Sequence, residues 1–379
     1  MPTSRVSSPM GNVGEAYVPS SGPLTAKILV VGEAPGIDEE REGQPFIGKS
    51  GQFLERYLNR IGIQRKQVRF SNLCKYRPSG NKFVNLLGTK ELGDGLLELS
   101  SEIAEMPNLN LILAVGNWPM YYLTGCTSSK EKPGTGIMNW RGSVVRGVPT
   151  HVPAAEDRKV LITFHPAFIV RPQGFGYHPI FFNDLKRIKL EWDHPEINYP
   201  KFDALIDPPN TMEIIEDMSK SPFLTVDIET FGSTLACVGI TDSVKRGLCV
   251  TCNNAYGWDA VKPILASNQP KNFQFGAFDI NYLWWYYGWE VGGYPEGGFD
   301  TYIGAANLLP EFNRGLDFLT SIYTPFPYYK EERKTWKNKG DLNVLWNYNI
   351  KDLIAQHWTA LEQMKELREL YPSYIPLVT

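Results

Sequence analysis

Apolar residues in the first half of the chain fall in short, unbroken runs that alternate with stretches of helical periodicity. The runs are KILVVGEA, VRFSNLC, LNLILAVG and KVLITFHP, and helical spacing is clearest in GQFLERYLNRIGI and ELGDGLLELSSEIAEM. Unbroken apolar runs are typical of strands buried on both faces, and their alternation with helices favours a parallel sheet. We therefore predict an α/β/α domain with a parallel sheet over residues 25–192.

The second half of the chain shows a different pattern, in which strands carry acidic residues. SPFLTVDIETFG predicts a strand, and KNFQFGAFDINYLWWYY predicts a strand that runs into a helix. The segment NVLWNYNIKDLIAQHWTALEQMKEL has apolar residues at helical spacing. We predict a second α/β domain over residues 218–379.

Two segments lack either period. Residues 1–24 are rich in Ser, Gly and Pro, which predicts a flexible arm. Residues 193–217 carry several prolines and predict a linker between the two domains.

Composition narrows the class of protein. The 379 residues are 42% hydrophobic and 21% charged with a net charge of −3, which is typical of a globular protein that stays in solution. No apolar run is long enough to span a membrane and no signal peptide opens the chain, so we expect a cytoplasmic protein without a membrane partner. The basic clusters RKQVRF, KRIKL and KEERKTWKNK are candidates for phosphate contacts, although such clusters are more often solvated surface.

The four predicted strands of the first domain all end in chemically distinctive residues. They run into GEAPG, SNLCKYRP, GNW and FHPAF. Ligands of open α/β sheets bind beyond the carboxyl ends of the strands, so four such ends predict one shared site.

The second domain offers four carboxylates at a strand, a strand–helix junction and a helix: Asp227, Glu229, Asp279 and Asp352. Asp227 and Glu229 are two apart on a strand and therefore point to the same face. Close carboxylates repel unless a positive charge joins them, and oxygen ligands select hard cations. We expect two ions of Mg²⁺ or Mn²⁺ there.

Three segments of the first domain resemble the family-four uracil-DNA glycosylases: GEAPGIDEEREGQPFIGKSGQFL, SNLCKYRPSGN and TFHPAFIVRP. The resemblance implies that Glu33 lies beside the water that attacks the sugar and that Phe46 stacks on the flipped base. It also implies that Asn72 binds the uracil edge and that His165 stabilises the leaving uracil, roles that a base-excising enzyme requires.

The sequence departs from that family at the iron–sulfur cluster. The family holds the cluster with four cysteines, whereas here only Cys74 precedes Cys126 and Tyr76 replaces another. We expect no iron–sulfur cluster. Ala167 also stands where the family has Ser, and the activity of this domain stays open between excising uracil, binding it and serving as scaffold.

The order Asp-x-Glu, Phe-Asp and Tyr-x₃-Asp resembles the DEDD 3′–5′ exonucleases, and most closely the proofreading domain of family A DNA polymerases. The resemblance implies a ribonuclease H-like fold with a mixed sheet, metal binding by the four carboxylates, and a tyrosine-type site in which Tyr348 orients the attacking water. Asn347 occupies the position that a histidine-type site would need. Phe275 replaces the usual Asn of the second motif, and Cys249 and Cys252 are interpreted as strand residues because zinc needs four ligands.

The pairing of these two domains resembles the amino-terminal part of certain bacteriophage DNA polymerases. It implies a role in phage DNA replication, with DNA that is single-stranded or frayed at its 3′ end, or that contains uracil, as substrate. The polymerase would be a separate chain or a missing carboxyl-terminal part. Two alternatives remain: a non-catalytic adaptor that recognises uracil in the replisome, and an exonuclease that trims RNA.

Overall fold

The computed structural model describes residues 13–333 and 340–372. The chain divides into two compact units, residues 1–198 and residues 199–379. The first half of the predicted arm, residues 1–12, and most of the last basic cluster, residues 334–339, lie outside the described residues.

The first unit is built on a five-stranded sheet in the order β2-β1-β3-β5-β4. The strands are β1 (Ile28–Gly32), β2 (Val68–Asn72), β3 (Leu111–Val115), β4 (Val144–Arg146) and β5 (Lys159–Thr163). The four predicted strands are confirmed, and they pair in parallel. The fifth strand, β4, lies antiparallel at the edge and was not predicted, because three residues are too short to show a period.

Helices cover this sheet, as an α/β/α layer requires. They are α1 (Ile37–Glu42), α2 (Lys49–Arg60), α3 (Lys90–Glu105), α4 (Asn117–Thr124), α5 (Ile137–Trp140), α6 (Pro166–Ile169), α7 (His178–Lys186) and α8 (Ile188–Glu191). Short 3₁₀ turns lie at Arg65–Gln67, Ser79–Asn81, Phe83–Leu86, Pro153–Ala155 and Pro172–Tyr177. The strands β1, β3 and β5 are buried along their whole length, which explains their unbroken apolar runs.

The described part of the predicted arm, residues 13–24, is bound along β2 and the segment that follows it, residues 75–78. Ser21 exchanges two backbone hydrogen bonds with Phe70, of 2.7 and 2.9 Å, and Val18 is buried. The Ser20 hydroxyl donates to Glu102 at 2.8 Å. The expectation of a flexible arm is corrected for these residues, because bonds to distant segments order a stretch that has no period of its own.

The second unit contains a mixed six-stranded sheet in the order β11-β10-β7-β8-β9-β6. The strands are β6 (Asp203–Ile206), β7 (Leu224–Phe231), β8 (Thr234–Ser243), β9 (Arg246–Thr251), β10 (Lys271–Phe273) and β11 (Phe299–Asp300). The strands β7, β8 and β9 form an antiparallel meander, and β6, β10 and β11 add in parallel. The predicted mixed sheet is confirmed.

The helices of this unit include α9 (Thr211–Met218), α10 (Ala255–Ala266), α11 (Gly276–Tyr287), α12 (Thr301–Leu308), α13 (Leu316–Tyr323) and α14 (Leu342–Leu370). Strand β6 lies within residues 193–217, which were expected to be a linker, and α9 begins there and ends at Met218. The first is a half-exposed edge strand and the second is a short helix that buries Ile215 and Met218, so neither shows a long apolar period.

The long helix α14 packs closely against β8 because that strand carries a glycine. A Cβ atom added at Gly239 would lie 2.6 Å from Leu353 Cδ1 and would also collide with the Asn349 amide. This close approach brings the middle of α14 to the acidic part of β7, the strand next to β8.

We expect Gly239→Ala to destabilise the second unit by about 1–3 kcal/mol, because the added methyl group overpacks the contact between sheet and helix. Scanning calorimetry in EDTA measures the change. Gly93→Ala is the control, since that exposed helical position has no atom within 4 Å of the new Cβ. An unchanged transition in Gly239→Ala would show that α14 does not need this close approach.

Candidate functional sites

In the first unit, the four residues predicted for uracil line one cleft of about 480 Å³. Glu33 follows β1, Asn72 ends β2, His165 follows β5, and Phe46 lies in the loop between α1 and α2. The predicted convergence of strand ends therefore exists, and the structure brings all four side chains together.

Glu33 is a half-buried acid in this cleft. Burial raises the pKa of its carboxyl to about 7, and a hydrogen bond from the Trp118 backbone partly opposes that shift. Trp118 belongs to the third predicted strand end. A Cβ atom at the neighbouring Gly116 would lie 3.0 Å from Glu33 Oε1 and 3.1 Å from His165 Cβ, so the glycine leaves room for both side chains.

His165 is held neutral and in one orientation. Burial lowers the pKa of its imidazole to about 4, and Arg171 adds to that shift. Its Nδ1 accepts the backbone N–H of Ala167 at 3.1 Å, which places the ring proton on Nε2. The replacement of the family's Ser by Ala167 keeps this bond, because the donor is a backbone group.

Phe46 is held in an unusual backbone conformation, with φ at +56°. Such a conformation is costly for a bulky residue. Arg65 stabilises the loop by donating to the carbonyl oxygens of Phe46 at 3.0 Å and Pro45 at 2.7 Å. A Cβ atom at Gly32 would lie 2.6 Å from the Phe46 ring and 2.5 Å from Asn72 Oδ1, so glycine is needed where the ring and the amide meet.

Aromatic packing surrounds the segment where the family binds its cluster. Cys74 is buried, and burial raises the pKa of its thiol. Tyr76, at a family cysteine position, packs edge-to-face on Tyr17 with ring centroids 5.7 Å apart. Tyr17 belongs to the segment that was expected to be a flexible arm.

In the second unit, the side chains of three of the four predicted acids lie close together. The carboxylate oxygens of Asp227 and Glu229 on β7 and of Asp352 on α14 all lie within 4.8 Å of one another. Among the described residues, this is the group of acids, cysteines and histidines with the spacing of a metal site. The strand and helix periods predicted that each pair of neighbours shares a face, and the tertiary fold joins them.

Asp279 lies beside this cluster, in the first turn of α11. Its Oδ1 accepts the backbone N–H of Ile228 at 3.2 Å, between the two acids of β7. Burial raises its pKa to about 8. Burial also raises the pKa of Asp227, and the charges of Asp279, Glu229 and Asp352 raise it further.

Two basic side chains that the sequence did not predict at this site supply part of the positive charge that the clustered acids need. Lys330 Nζ donates to both oxygens of Asp352, at 2.7 and 2.8 Å, and Arg333 lies 3.4 Å from Glu229. Both residues belong to the basic cluster KEERKTWKNK, which the sequence predicts only as a candidate for contacts with phosphate groups.

Neutral donors complete the surroundings of the cluster. Tyr329 donates its hydroxyl to Asp352 at 2.6 Å, and the Asn349 amide donates to Asp227 Oδ2 at 2.7 Å. The only sequence signal for Asn349 is its place within the YNIKD motif.

Tyr348 lies at the same cluster, one helical turn before Asp352. It is buried, and its hydroxyl accepts a hydrogen bond from Lys330 Nζ at 2.7 Å. Burial raises the pKa of this phenol, and the nearby acids add to the shift, so the hydroxyl stays protonated. The side chains of Tyr348 and Asp352 thus lie close together, as predicted, and both bond to Lys330.

The other two basic clusters are largely engaged within the first unit. Arg65 holds the Phe46 loop, Arg69 pairs with Glu102, and Arg187 donates to the Gly142 carbonyl at 2.6 Å. In the second unit, Cys249 is buried in β9 as expected, whereas Cys252 is exposed just beyond the strand.

The first unit matches a known family in sequence. Residues 19–186 match the model of the uracil DNA glycosylase superfamily. The type-4 uracil-DNA glycosylase of Thermotoga maritima is 30% identical over 175 residues, which cover 46% of this chain and 78% of that protein. The type-4 enzyme of Archaeoglobus fulgidus is 31% identical over 158 residues, which cover 41% of this chain and 74% of that protein. This chain belongs to the type-4 uracil-DNA glycosylase family.

Among solved structures, RNase D of Escherichia coli, described as an exoribonuclease involved in structured RNA processing, aligns with a TM-score of 0.36 and 18% identity. The alignment covers 46% of this chain and 47% of RNase D. This chain thus spans about half the length of that protein. Within the described residues, every helix is too short or too polar to cross a membrane.

The geometry of the acid cluster predicts opposite effects of two isosteric substitutions on the metal-free protein. Asp227→Asn should raise the melting temperature in EDTA. Because the pKa of Asp227 is higher in the folded than in the unfolded protein, this carboxyl lowers the free energy of unfolding at every pH above its unfolded-state pKa. An uncharged amide at this position removes that cost. Asp352→Asn should lower stability by about 1–3 kcal/mol, because it leaves the Lys330 ammonium without its charged partner.

Thermal unfolding of the two variants beside wild type, in EDTA at neutral pH, is the measurement. Asp259→Asn is the control, since its exposed carboxylate pairs with Lys262 on the same helix, away from the acid cluster. Equal shifts of the same sign in both variants would contradict the division between a repelled acid and a paired acid.

Proposed function

We propose that this chain is a metal-dependent 3′–5′ DNA exonuclease fused to a uracil-DNA glycosylase domain. We also propose that it acts with a DNA polymerase in phage DNA replication, the polymerase being a separate chain or a missing carboxyl-terminal part. The observation that supports the nuclease best is the meeting of Asp227, Glu229 and Asp352 beside the Tyr348 hydroxyl.

The donor set fits Mg²⁺ or Mn²⁺, since it consists of carboxylate oxygens crowded together with raised pKa values at Asp227 and Asp279. Asp227, Glu229, Asp279 and Asp352 would hold the ions. When bound, two such ions activate water and stabilise the leaving 3′ oxygen of a phosphodiester.

The chain's own groups position the water. The protonated Tyr348 hydroxyl already accepts a bond from Lys330, so its own proton is available to a water molecule. Lys330 fixes the hydroxyl and Asp352 relative to each other, because it bonds to both.

In the first unit, the cleft supports binding of an extruded uracil and its excision. Above pH 7 Glu33 is a carboxylate that can orient and deprotonate the attacking water. His165 presents Nε2–H as a donor to the departing uracil anion, Phe46 offers an aromatic face, and Asn72 binds the base edge. We propose that aromatic packing around Tyr76 and Tyr17 replaces the iron–sulfur cluster as a brace.

The excision rate should rise with pH and level off above about pH 7. The carboxylate of Glu33 is the active form, and its raised pKa of about 7 sets the pH at which the rate rises. His165 stays neutral over this pH range because its pKa is about 4. Abasic sites formed in uracil-containing single-stranded DNA are counted across the pH range.

Glu33→Gln should lower this rate by about 10²- to 10⁴-fold, the usual contribution of a general base. The exposed Glu42→Gln should leave it unchanged. A flat pH profile in an active wild type would exclude Glu33 as the base. If no abasic sites form, preferential binding of uracil over thymine strands that Phe46→Ala abolishes would instead favour the non-catalytic adaptor.

The nuclease is tested with labelled single-stranded DNA and RNA, each incubated with Mn²⁺ or EDTA. Asp352→Asn should abolish cleavage. Tyr348→Phe should reduce it by one to three orders of magnitude, on the order of the 10²-fold cost of a misplaced reactant, while metal affinity by calorimetry changes little.

Tyr323→Phe is the matched control for Tyr348→Phe, since its hydroxyl bonds to Glu366 instead of the acid cluster. Cleavage that continues at full rate in Asp352→Asn would refute the two-metal assignment. Cleavage of RNA alone would replace the DNA exonuclease by the RNA-trimming alternative.

A further inference from the structure

Helix α11 and the residue directly before it carry a row of aromatic side chains along an open groove. The row consists of Phe275, Phe278, Tyr282, Trp285 and Tyr286, and we call it the aromatic stripe. The groove has a volume of about 770 Å³ and is also lined by Thr230 and Gly232. This volume lies within the range of ligand clefts, about 300–1,000 Å³.

Aromatic residues at helical spacing usually belong to a core, but most of this stripe is exposed. Trp285 is 78% exposed, Tyr286 58%, and Phe275 and Phe278 52% each. Tyr282 forms the buried floor, and its hydroxyl donates to the Gly232 carbonyl at 3.0 Å. A contiguous apolar surface of this kind marks an interaction site.

Phe275 is presented to the groove by a strained backbone. Its φ is +63°, in the left-handed region that a bulky residue rarely adopts. Asp300 holds this conformation, because its two carboxylate oxygens accept the N–H groups of Phe275 at 3.0 Å and Gly276 at 2.9 Å. Strain that is retained to expose an aromatic ring favours a role in binding.

The groove lies next to the two segments that carry three of the acids. Thr230 directly follows Glu229 on β7, and Phe278 directly precedes Asp279 on α11. The bond from the Ile228 N–H to Asp279 ties these two segments together. A polymer whose end lies at the acids therefore meets the stripe with its next units.

We propose that the aromatic stripe binds single-stranded nucleic acid by stacking on the bases next to the 3′ end that the acid cluster holds. Every base has an aromatic face, so stacking tolerates all sequences, as an enzyme that removes successive nucleotides requires. The occupant rests on the proposed exonuclease function, since two residues of the groove, Thr230 and Phe278, are next in sequence to Glu229 and Asp279 of the proposed cleavage site.

The first test compares cleavage of a long single strand and of a dinucleotide by the full chain in Mn²⁺. Trp285→Ala combined with Phe278→Ala should raise KM for the long strand by roughly 5- to 150-fold, the effect of losing one stacked base. The effect on the dinucleotide should be smaller. Tyr256→Ala removes an equally exposed ring from α10, outside the stripe, and should leave both KM values unchanged. Equal KM values in the stripe variant and wild type would overturn the proposal.

The second test does not depend on cleavage. A uracil-free single strand that carries 5-iododeoxycytidine is irradiated with the full chain in EDTA, and adducts are mapped by mass spectrometry. Adducts on the aromatic stripe that Trp285→Ala removes would support the groove even if no cleavage occurs, which separates this proposal from the nuclease assignment. Adducts confined to other residues would overturn it. A wild type that elutes as a dimer on gel filtration, together with a stripe variant that elutes as a monomer and gives the same adducts, would also overturn it and assign the stripe to an interface between copies of this chain.

Discussion

The second unit depends on gathering negative charge where water cannot screen it. Asp227, Glu229 and Asp352 have carboxylate oxygens within 4.8 Å of one another, and Asp279 adds a fourth acid beside them. Such crowding is unfavourable without compensation. Lys330, Arg333, Tyr329 and the Asn349 amide provide part of that compensation through direct bonds.

The carboxyl of Glu33 in the first unit is accommodated by a different route. Glu33 has no cation bonded to it among the described contacts, so burial raises its pKa to about 7 and protonation relieves the charge. The neighbouring His165 is kept neutral by the same lack of water. The two clusters therefore differ in their electrostatics: one holds a carboxyl whose pKa is raised to about 7, and the other holds several acids whose mutual repulsion favours cations.

Local pattern predicted the elements that bear these groups. Strands β1, β2, β3 and β5 followed from unbroken apolar runs, and α14 from its helical period. The elements that the pattern missed have little hydrophobic periodicity. Strand β4 is three residues long, β6 is a half-exposed edge strand, and residues 13–24 are ordered by bonds to β2 and the segment that follows it. Their order comes from contacts between distant segments.

The sequence by itself determined which candidate residues share a face or end a strand, because same-face spacing on a strand or helix and motif order are local properties. It placed Asp227 with Glu229, Tyr348 with Asp352, and Glu33, Asn72 and His165 at strand ends. Only the tertiary structure decided what surrounds them. Lys330 reaches Asp352 and Tyr348 across about 20 residues of chain, Arg65 holds Phe46, and Gly239 admits α14. No sequence period encodes such contacts, since they depend on how closely separate elements pack.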